Sequence, residues 1–286
     1  MKCAIQFNSH PFIQKSGNVE NIEDKFYIGN LSSEMNLMNY PFRTDLYICC
    51  ICSAGESRGR INLIPYSLKA LGMSINVPGQ LLEHEFMTDE FQGIYILMSK
   101  DFVSSLGLPY NFQTYMSVQE TPILPLTENQ YKAMLSYCNM VRNVIKIDHP
   151  NKLDITKHLT CAFFYGMGYY FHQITVSKKL SNEEILMQDF LKTVQQHYKI
   201  ERKVIFYADK LHLSAGYLST VIKNVSGKTA AEWIDDYVIL EAKSLLKSSS
   251  LTIQQISDGL NFPSQSFFGK YFKRQIGISP KEYREK

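Results

Sequence analysis

Cysteine is sparse, six in 286 residues, too few for a secreted scaffold held by disulfides. Glycine and proline number only 15 and 10, which excludes collagen-like, low-complexity and largely disordered chains. The opening residues, Met1 to Phe12, hold a lysine but no apolar run behind it, so no secretory signal is expected and the cytoplasm is the expected location. Long apolar runs are also lacking. The stretch Leu159–Val176 has no Asp, Glu, Lys or Arg and just reaches the length of a membrane span. It contains His172, Gln173, Gly166, Gly168 and three tyrosines, whereas a span wants mostly Leu, Ile, Phe and Val. A buried or subunit-facing helix is the expectation, with no membrane partner.

Catalytic signatures are missing as well. The chain holds no phosphate-binding loop, dinucleotide fingerprint or H-E-x-x-H. His84-Glu85 after Gly79 is a fragment of a cupin metal pattern, without the second His or the downstream partner motif. Cys49, Cys50 and Cys52 suggest metal or redox chemistry, but a zinc site wants two separated ligand pairs and only Cys3, Cys138 and Cys161 remain. On a strand Cys50 and Cys52 share a face with Leu46 and Ile48 while Cys49 faces the other way, and buried apolar thiols are the expected state. No catalytic residue, metal site or cofactor is assigned, and a metal-dependent cupin enzyme fused to a DNA-binding domain is a remote alternative.

What is present fits about two domains, at roughly 100–200 residues each. The charge is unevenly spread. Residues 1–178 hold 14 Lys/Arg against 15 Asp/Glu, and residues 179–286 hold 16 against 12. A basic second half suggests an anionic partner such as nucleic acid.

Residues 1–118 read as β-rich. Candidate strands are 25–31, 45–52, 60–64, 71–77 and 91–98, alternating or β-branched and punctuated by Gly, Pro, Asn or Ser, which suggests a sandwich or barrel. A short helix is expected over 100–106. Residues 127–176 switch to helical periodicity: Thr127 to Gln130 form a capping-box pattern, His149-Pro150-Asn151 breaks the first helix, and a second runs from about Asp154 to Val176. Such a helical pair could pack on the sheet, meet a second subunit, or both. Residues 177–182 are short and polar, as a linker would be. The eleven aromatic residues from Phe7 and Phe12 through Tyr95 are core or pocket lining, which the pattern alone does not sort.

From Asn182 onward the chain reads as all helix, with two segments of one layout. In the first, Tyr207–Leu211 is a short helix, His212-Leu213 a tight turn, and Ser214 an N-cap before a helix closed by Gly227. In the second, Ile253–Gly259 is followed by a turn through Leu260–Pro263, the N-cap Ser264 and a helix over 264–275. Short helix, turn and longer helix is the helix-turn-helix pattern, whose second helix enters the DNA major groove. Leu218, Val221 and Ile222, and Phe268, Tyr271 and Phe272, dock these helices on the core. Lys223, Lys270, Lys273 and Arg274 can reach phosphates. The N-cap serines are 50 residues apart with Ala230–Lys247 between them. That helix would span about 27 Å, near the roughly 34 Å between successive turns of one groove face.

At these residues the sequence, over about 183–286, resembles the DNA-binding domain of AraC/XylS-type bacterial transcription regulators. The matches are Ala208 to Leu211, Ser214, Tyr217-Leu218-Ser219, Lys223 and Gly227, then Glu241-Ala242-Lys243, Leu245-Leu246, Ile253 and Ile256. They continue with Phe262, Ser264-Gln265-Ser266-Phe267-Phe268, Phe272-Lys273, Gly277, Ser279-Pro280 and Tyr283-Arg284. Ile222 departs from a usual Phe, a tolerable core swap. Val238 departs from a usual Arg before the long helix, which puts a surface or phosphate contact there in doubt. Asn261 replaces a usual Gly, and Asn is next best for a left-handed turn.

The resemblance implies base-reading candidates Ala215, Gly216, Ser219 and Thr220 in the first unit and Gln265, Ser266 and Lys270 in the second, with Lys223, Ser264, Lys273 and Arg274 beside them. Gln265 can bond adenine and Lys270 guanine. Gly216 has no side chain to read with. By fold-level analogy the resemblance also implies a two-domain α+β architecture. Residues 1–176 would be a cupin-like β-barrel with a C-terminal helical pair, sensing a small effector and dimerising. Residues 177–182 would be the linker, and 183–286 an all-α, seven-helix tandem helix-turn-helix domain. The expected function is that of a sequence-specific regulator, an activator, whose partners are double-stranded DNA, a small-molecule effector, a second copy of itself and RNA polymerase. Effector binding would change how the sensor presents the two DNA-binding domains of a dimer. The alternative is a first half that only dimerises or binds another protein.

Overall fold

A computed structural model describes residues 19–34, 40–107, 123–176 and 181–285, with the backbone alone over 167–176. Cys3, Phe7, Phe12 and four residues of the expected linker, 177–180, lie outside these. The described residues divide into two compact units, one holding most of residues 19–176 and the other residues 181–285 together with 40–42.

The first unit contains ten described strands in two antiparallel sheets. They are β1 (Glu20–Ile22), β2 (Phe26–Ser32), β3 (Phe42–Arg43), β4 (Tyr47–Ala54), β5 (Glu56–Ile61), β6 (Ile64–Lys69), β7 (Gly72–Asn76), β8 (Leu81–Met87), β9 (Gln92–Met98) and β10 (Ile123–Pro125). One sheet has six strands in the order β1-β2-β9-β4-β7-β10, and the other four in the order β3-β8-β5-β6. Both ladders are open at their ends, so the described strands do not close into a single barrel. Three helices follow: α1 (Lys100–Ser105), α2 (Glu128–Lys146) and α3 (Lys152–Val176). The Thr127 capping box forms as the sequence indicates, its hydroxyl accepting from the Gln130 N–H.

Period-two alternation explains why the six-stranded sheet takes the helices on one face. Phe26 and Ile28, Cys49 and Ile51, Met73 and Ile75, and Ile96 and Met98 form one buried cluster with Phe102 of α1, Met134, Tyr137 and Val141 of α2, and Phe164 of α3. The cysteines of β4 are all buried, Cys49 within this cluster and Cys52 fully buried outside it. Burial pushes the Cys50 thiol up to about 12 and the Cys49 thiol well above its ordinary value. No group of three or more His, Cys, Asp or Glu among the described residues could hold a metal ion. Burial also lowers the pKa of His84, while its neighbour Glu85 pairs with Arg60 at 3.0 Å.

The expected strand over 60–64 is in fact a hairpin. Asn62 and Leu63 take φ of 49° and 71° and turn β5 into β6, because Asn tolerates the left-handed region that such a turn requires.

The second unit contains seven helices: α4 (Asn182–His197), α5 (Val204–Lys210), α6 (Ala215–Ser226), α7 (Ala230–Ser248), α8 (Ile253–Gly259), α9 (Gln265–Ile276) and α10 (Pro280–Glu285). Helix α7 is the core of the unit. Ile234, Tyr237, Val238, Leu240, Ala242, Leu245 and Leu246 are all buried, and so are Glu241 and Ser244. Apolar residues on several sides mark a helix enclosed by others. Val238 is fully buried and lies inside α7 rather than before it, so the surface or phosphate contact considered for this position does not arise. Among the described residues no helix is long and apolar enough to cross a membrane.

Candidate nucleic-acid interface

Two short-helix, turn, long-helix units stand in the second unit of the chain, α5 with α6 and α8 with α9. Their turns match bond for bond. The first short helix ends at Leu211, whose N–H bonds to Tyr207 O at 3.1 Å, and the second ends at Leu260, bonded to Ile256 O at 3.0 Å. The next residues, His212 and Asn261, are left-handed with φ of 57° and 54°. Then Leu213 N–H reaches Ala208 O at 2.9 Å, and Phe262 N–H reaches Ser257 O at 3.0 Å. Asn261 was legible as a left-handed position because it stands where a Gly is usual; no such comparison marked His212, although histidine also tolerates this region. The Asn261 amide also donates to Ile200 O at 2.9 Å.

The long helices begin and end alike. Ser214 Oγ accepts from the Tyr217 N–H at 3.2 Å, and Ser264 Oγ from the Phe267 N–H at 3.3 Å. Each fixes the helix start by satisfying an orphan donor. Gly227 and Gly277 close them with φ of 74° and 86°, their N–H groups on Lys223 O and Lys273 O. These are the left-handed C-caps that glycine supplies at no steric cost.

Buried Leu218, Val221 and Ile222 hold α6, and Phe268 and Phe272 hold α9, on the shared core. Tyr271 is half-buried rather than buried; its hydroxyl donates to Asp235 of α7 at 2.7 Å. Burial and that carboxylate together raise its pKa far above the ordinary phenol value. At the other end of the pair, the Trp233 indole N–H donates to Ser226 Oγ at 2.9 Å, which ties α7 to the end of α6. Arg202 donates to Leu260 O and, at 3.1 Å, to Asn261 O, with its guanidinium 4.0 Å from the Phe262 ring centroid. Sequence reasoning missed Arg202 and Asp235, whose partners are distant in sequence, and Ser226, whose partner Trp233 is only seven residues on.

The sequence-derived candidates fall on the outer sides of α6 and α9. Gly216, Thr220, Lys223, Gln265, Ser266, Lys270, Lys273 and Arg274 are exposed; Ala215, Ser219 and Ser264 are half-buried. The Thr220 hydroxyl donates back to Gly216 O at 3.0 Å, leaving its oxygen to accept and its methyl to make contact. Neither α6 nor α9 contains an Asp or Glu. Their four cations therefore face outward with no acid on the same helix, and the Arg274 guanidinium lies 5.5 Å from the Tyr271 ring centroid. Such a surface favours an anion.

This geometry defines a tandem helix-turn-helix domain built on one central helix. A family model described as "Helix-turn-helix domain" matches residues 207–286, and this part of the chain is the C-terminal helix-turn-helix domain of the AraC/XylS family. The uncharacterized HTH-type transcriptional regulator YisR of Bacillus subtilis is 30% identical over 105 residues, 37% of this chain and 37% of that protein. The similarity thus spans little more than a third of that relative's length. The Msm operon regulatory protein of Streptococcus mutans is 26% identical over 273 residues, covering 90% of this chain and 97% of that one. Among solved structures, the C-terminal domain of AraT, a response regulator from Geobacillus stearothermophilus, is similar at 27% identity over 38% of this chain and 88% of its own, with a TM-score of 0.35.

Proposed function

We propose that the chain is a cytoplasmic, sequence-specific DNA-binding transcription regulator, an activator, and not an enzyme. The observation that carries this reading is the pair of matched helix-turn-helix units whose outer helices are cationic and free of acids. The likeness to operon regulators, one of them along 90% of this chain, supports it. In this reading Gln265, Ser266 and Lys270 read bases, with Ala215, Gly216, Ser219 and Thr220 closest to the groove in the other unit. Lys223, Ser264, Lys273 and Arg274 hold the backbone.

Residues 1–176 are assigned as a cupin-like sensor and dimerisation domain, 177–182 as a linker and 183–286 as the DNA-binding domain. Exposed Met140 of α2, Ile147 at its C-cap, and Ile155 and Tyr165 of α3 support a dimer contact through these helices. RNA polymerase is the partner through which activation would act.

One observation favours the second reading, a first domain that only dimerises or binds a protein. The cavity between the six-stranded sheet and α2 and α3, lined by Tyr47, Cys49, Met73, Met98, Tyr137 and Phe163 among others, is about 10 Å³, room for one water. An effector entering there has to part the helices from the sheet. Thermal-shift screening separates the two readings: a small molecule that raises Tm supports the sensor.

The decisive experiment is binding of the purified chain to DNA from its own upstream region across a salt series. Affinity that falls with salt and keeps a preference over competitor DNA is the expected result. Uniformly weak binding, with and without screened effectors, would remove the DNA-reading role.

A further inference from the structure

Among the exposed large apolar residues of the second unit, two occupy the same place. Tyr217 is 54% exposed and Phe267 is 63% exposed. Each is the third residue of its helix, the one whose N–H is held by the N-cap serine. The next residue in each case, Leu218 or Phe268, is fully buried. At about 100° per residue, Tyr217 and Phe267 therefore sit on the flank of α6 and α9, between the buried side and the exposed Gly216–Thr220 and Ser266–Lys270 pairs. A single exposed ring is ordinary on any protein. The same exposed ring at the same offset from the same cap, in two units of otherwise different sequence, is a repeated feature of the surface.

We propose that Tyr217 and Phe267 are the matched apolar DNA contacts of the two units. Each ring lies against a thymine methyl or a deoxyribose at the wall of the major groove. The occupant follows from charge: Lys223 on α6, and Lys270, Lys273 and Arg274 on α9, share these helices with the rings, and neither helix contains an Asp or Glu. A protein partner of ordinary composition has no need of this arrangement. A polyanion with apolar sugars and methyl groups between its charges uses both parts of it. Tyr217 also offers a hydroxyl, but Phe267 has none, so the shared chemistry is the ring.

The inference rests on the DNA-binding reading above. It is tested with the full chain on the upstream fragment that the unsubstituted protein binds. Tyr217→Ala and Phe267→Ala each lower affinity about tenfold, the scale of one buried apolar side chain, with Tm unchanged. The slope of log affinity against log salt also stays unchanged, because a ring releases no counterions. Lys273→Ala, by contrast, flattens the slope by about one contact. Tyr217→Phe and Phe267→Leu restore most of the affinity. A fragment with uracil in place of thymine assigns the methyl if the unsubstituted chain weakens on it and the alanine variants do not; equal binding to both fragments assigns the deoxyribose. Alanine variants that bind as well as the unsubstituted chain overturn the proposal, and so does a loss that Phe267→Leu and Tyr217→Phe fail to restore. An unsubstituted chain with no preference for the fragment overturns the DNA reading itself.

Discussion

Lys270 tests the reading surface most directly at the scale of one residue. It is exposed on the acid-free helix α9. Lys270→Ala is expected to cost about 1–3 kcal/mol at a specific site if the ammonium meets a base edge. Titration of the upstream fragment reads this out, and unchanged affinity takes Lys270 out of the reading set. The β4 cysteines make a contrasting prediction. Burial keeps the Cys50 proton on up to about pH 12 in the folded chain, whereas an exposed thiol in the unfolded chain ionises near pH 8.5. The resulting stability is therefore complete below about pH 8.5 and lost progressively as pH rises above it. Urea titrations between pH 7 and 10 are expected to show this fall, diminished in Cys50→Ser, and that variant should bind DNA like the parent under reducing conditions. The burial of these thiols was legible from their apolar alternation. The left-handed state of His212 was not: histidine tolerates that region, but it occurs in many other conformations and no Gly or Asn marks this turn.

Caps and turns decide the behaviour of single elements. Ser264→Ala removes the acceptor of the Phe267 N–H and is expected to lower stability by about 1 kcal/mol, read from the urea midpoint. Asn261→Gly keeps the left-handed turn but gives up the amide bond to Ile200 O and should cost about 1 kcal/mol. Asn261→Val opposes it with a β-branched side chain and should cost at least about 1 kcal/mol more. The helices of the second unit were nearly all legible, within a residue or two, because N-cap serines, glycine C-caps and 3.6-residue periodicity agree locally. The β-unit was legible only in its core strands. β8, with His84 between Glu83 and Glu85, lacks an apolar alternation strong enough to announce itself. It forms because β5 offers it a ladder, a long-range pairing that no local pattern records. Arg202 was hidden for the same reason, its partners at Leu260 and Asn261 being almost sixty residues away.

Over the whole molecule, stability of the second unit converges on α7. Glu241 is fully buried there and is held by Lys199 at 2.7 Å. Lys199→Met removes that ammonium from the buried carboxylate and is expected to destabilise by about 2 kcal/mol, below the cost for a fully buried pair because Lys199 is 40% exposed. Thermal denaturation of the full chain reads this, and an unchanged Tm would mean that water or another group takes over.

The bonds from α7 to both sides, Trp233 to Ser226 and Asp235 to Tyr271, have a consequence for the nucleic acid as well. A shared spine leaves the two reading helices no joint at which to adjust their separation. The adjustment then falls to the duplex, whose twist and bend between the two contacted stretches have to meet a fixed protein spacing. Base pairs that nothing touches would then influence affinity through their stiffness alone, with TA or CA steps in that interval favoured over rigid A-tracts.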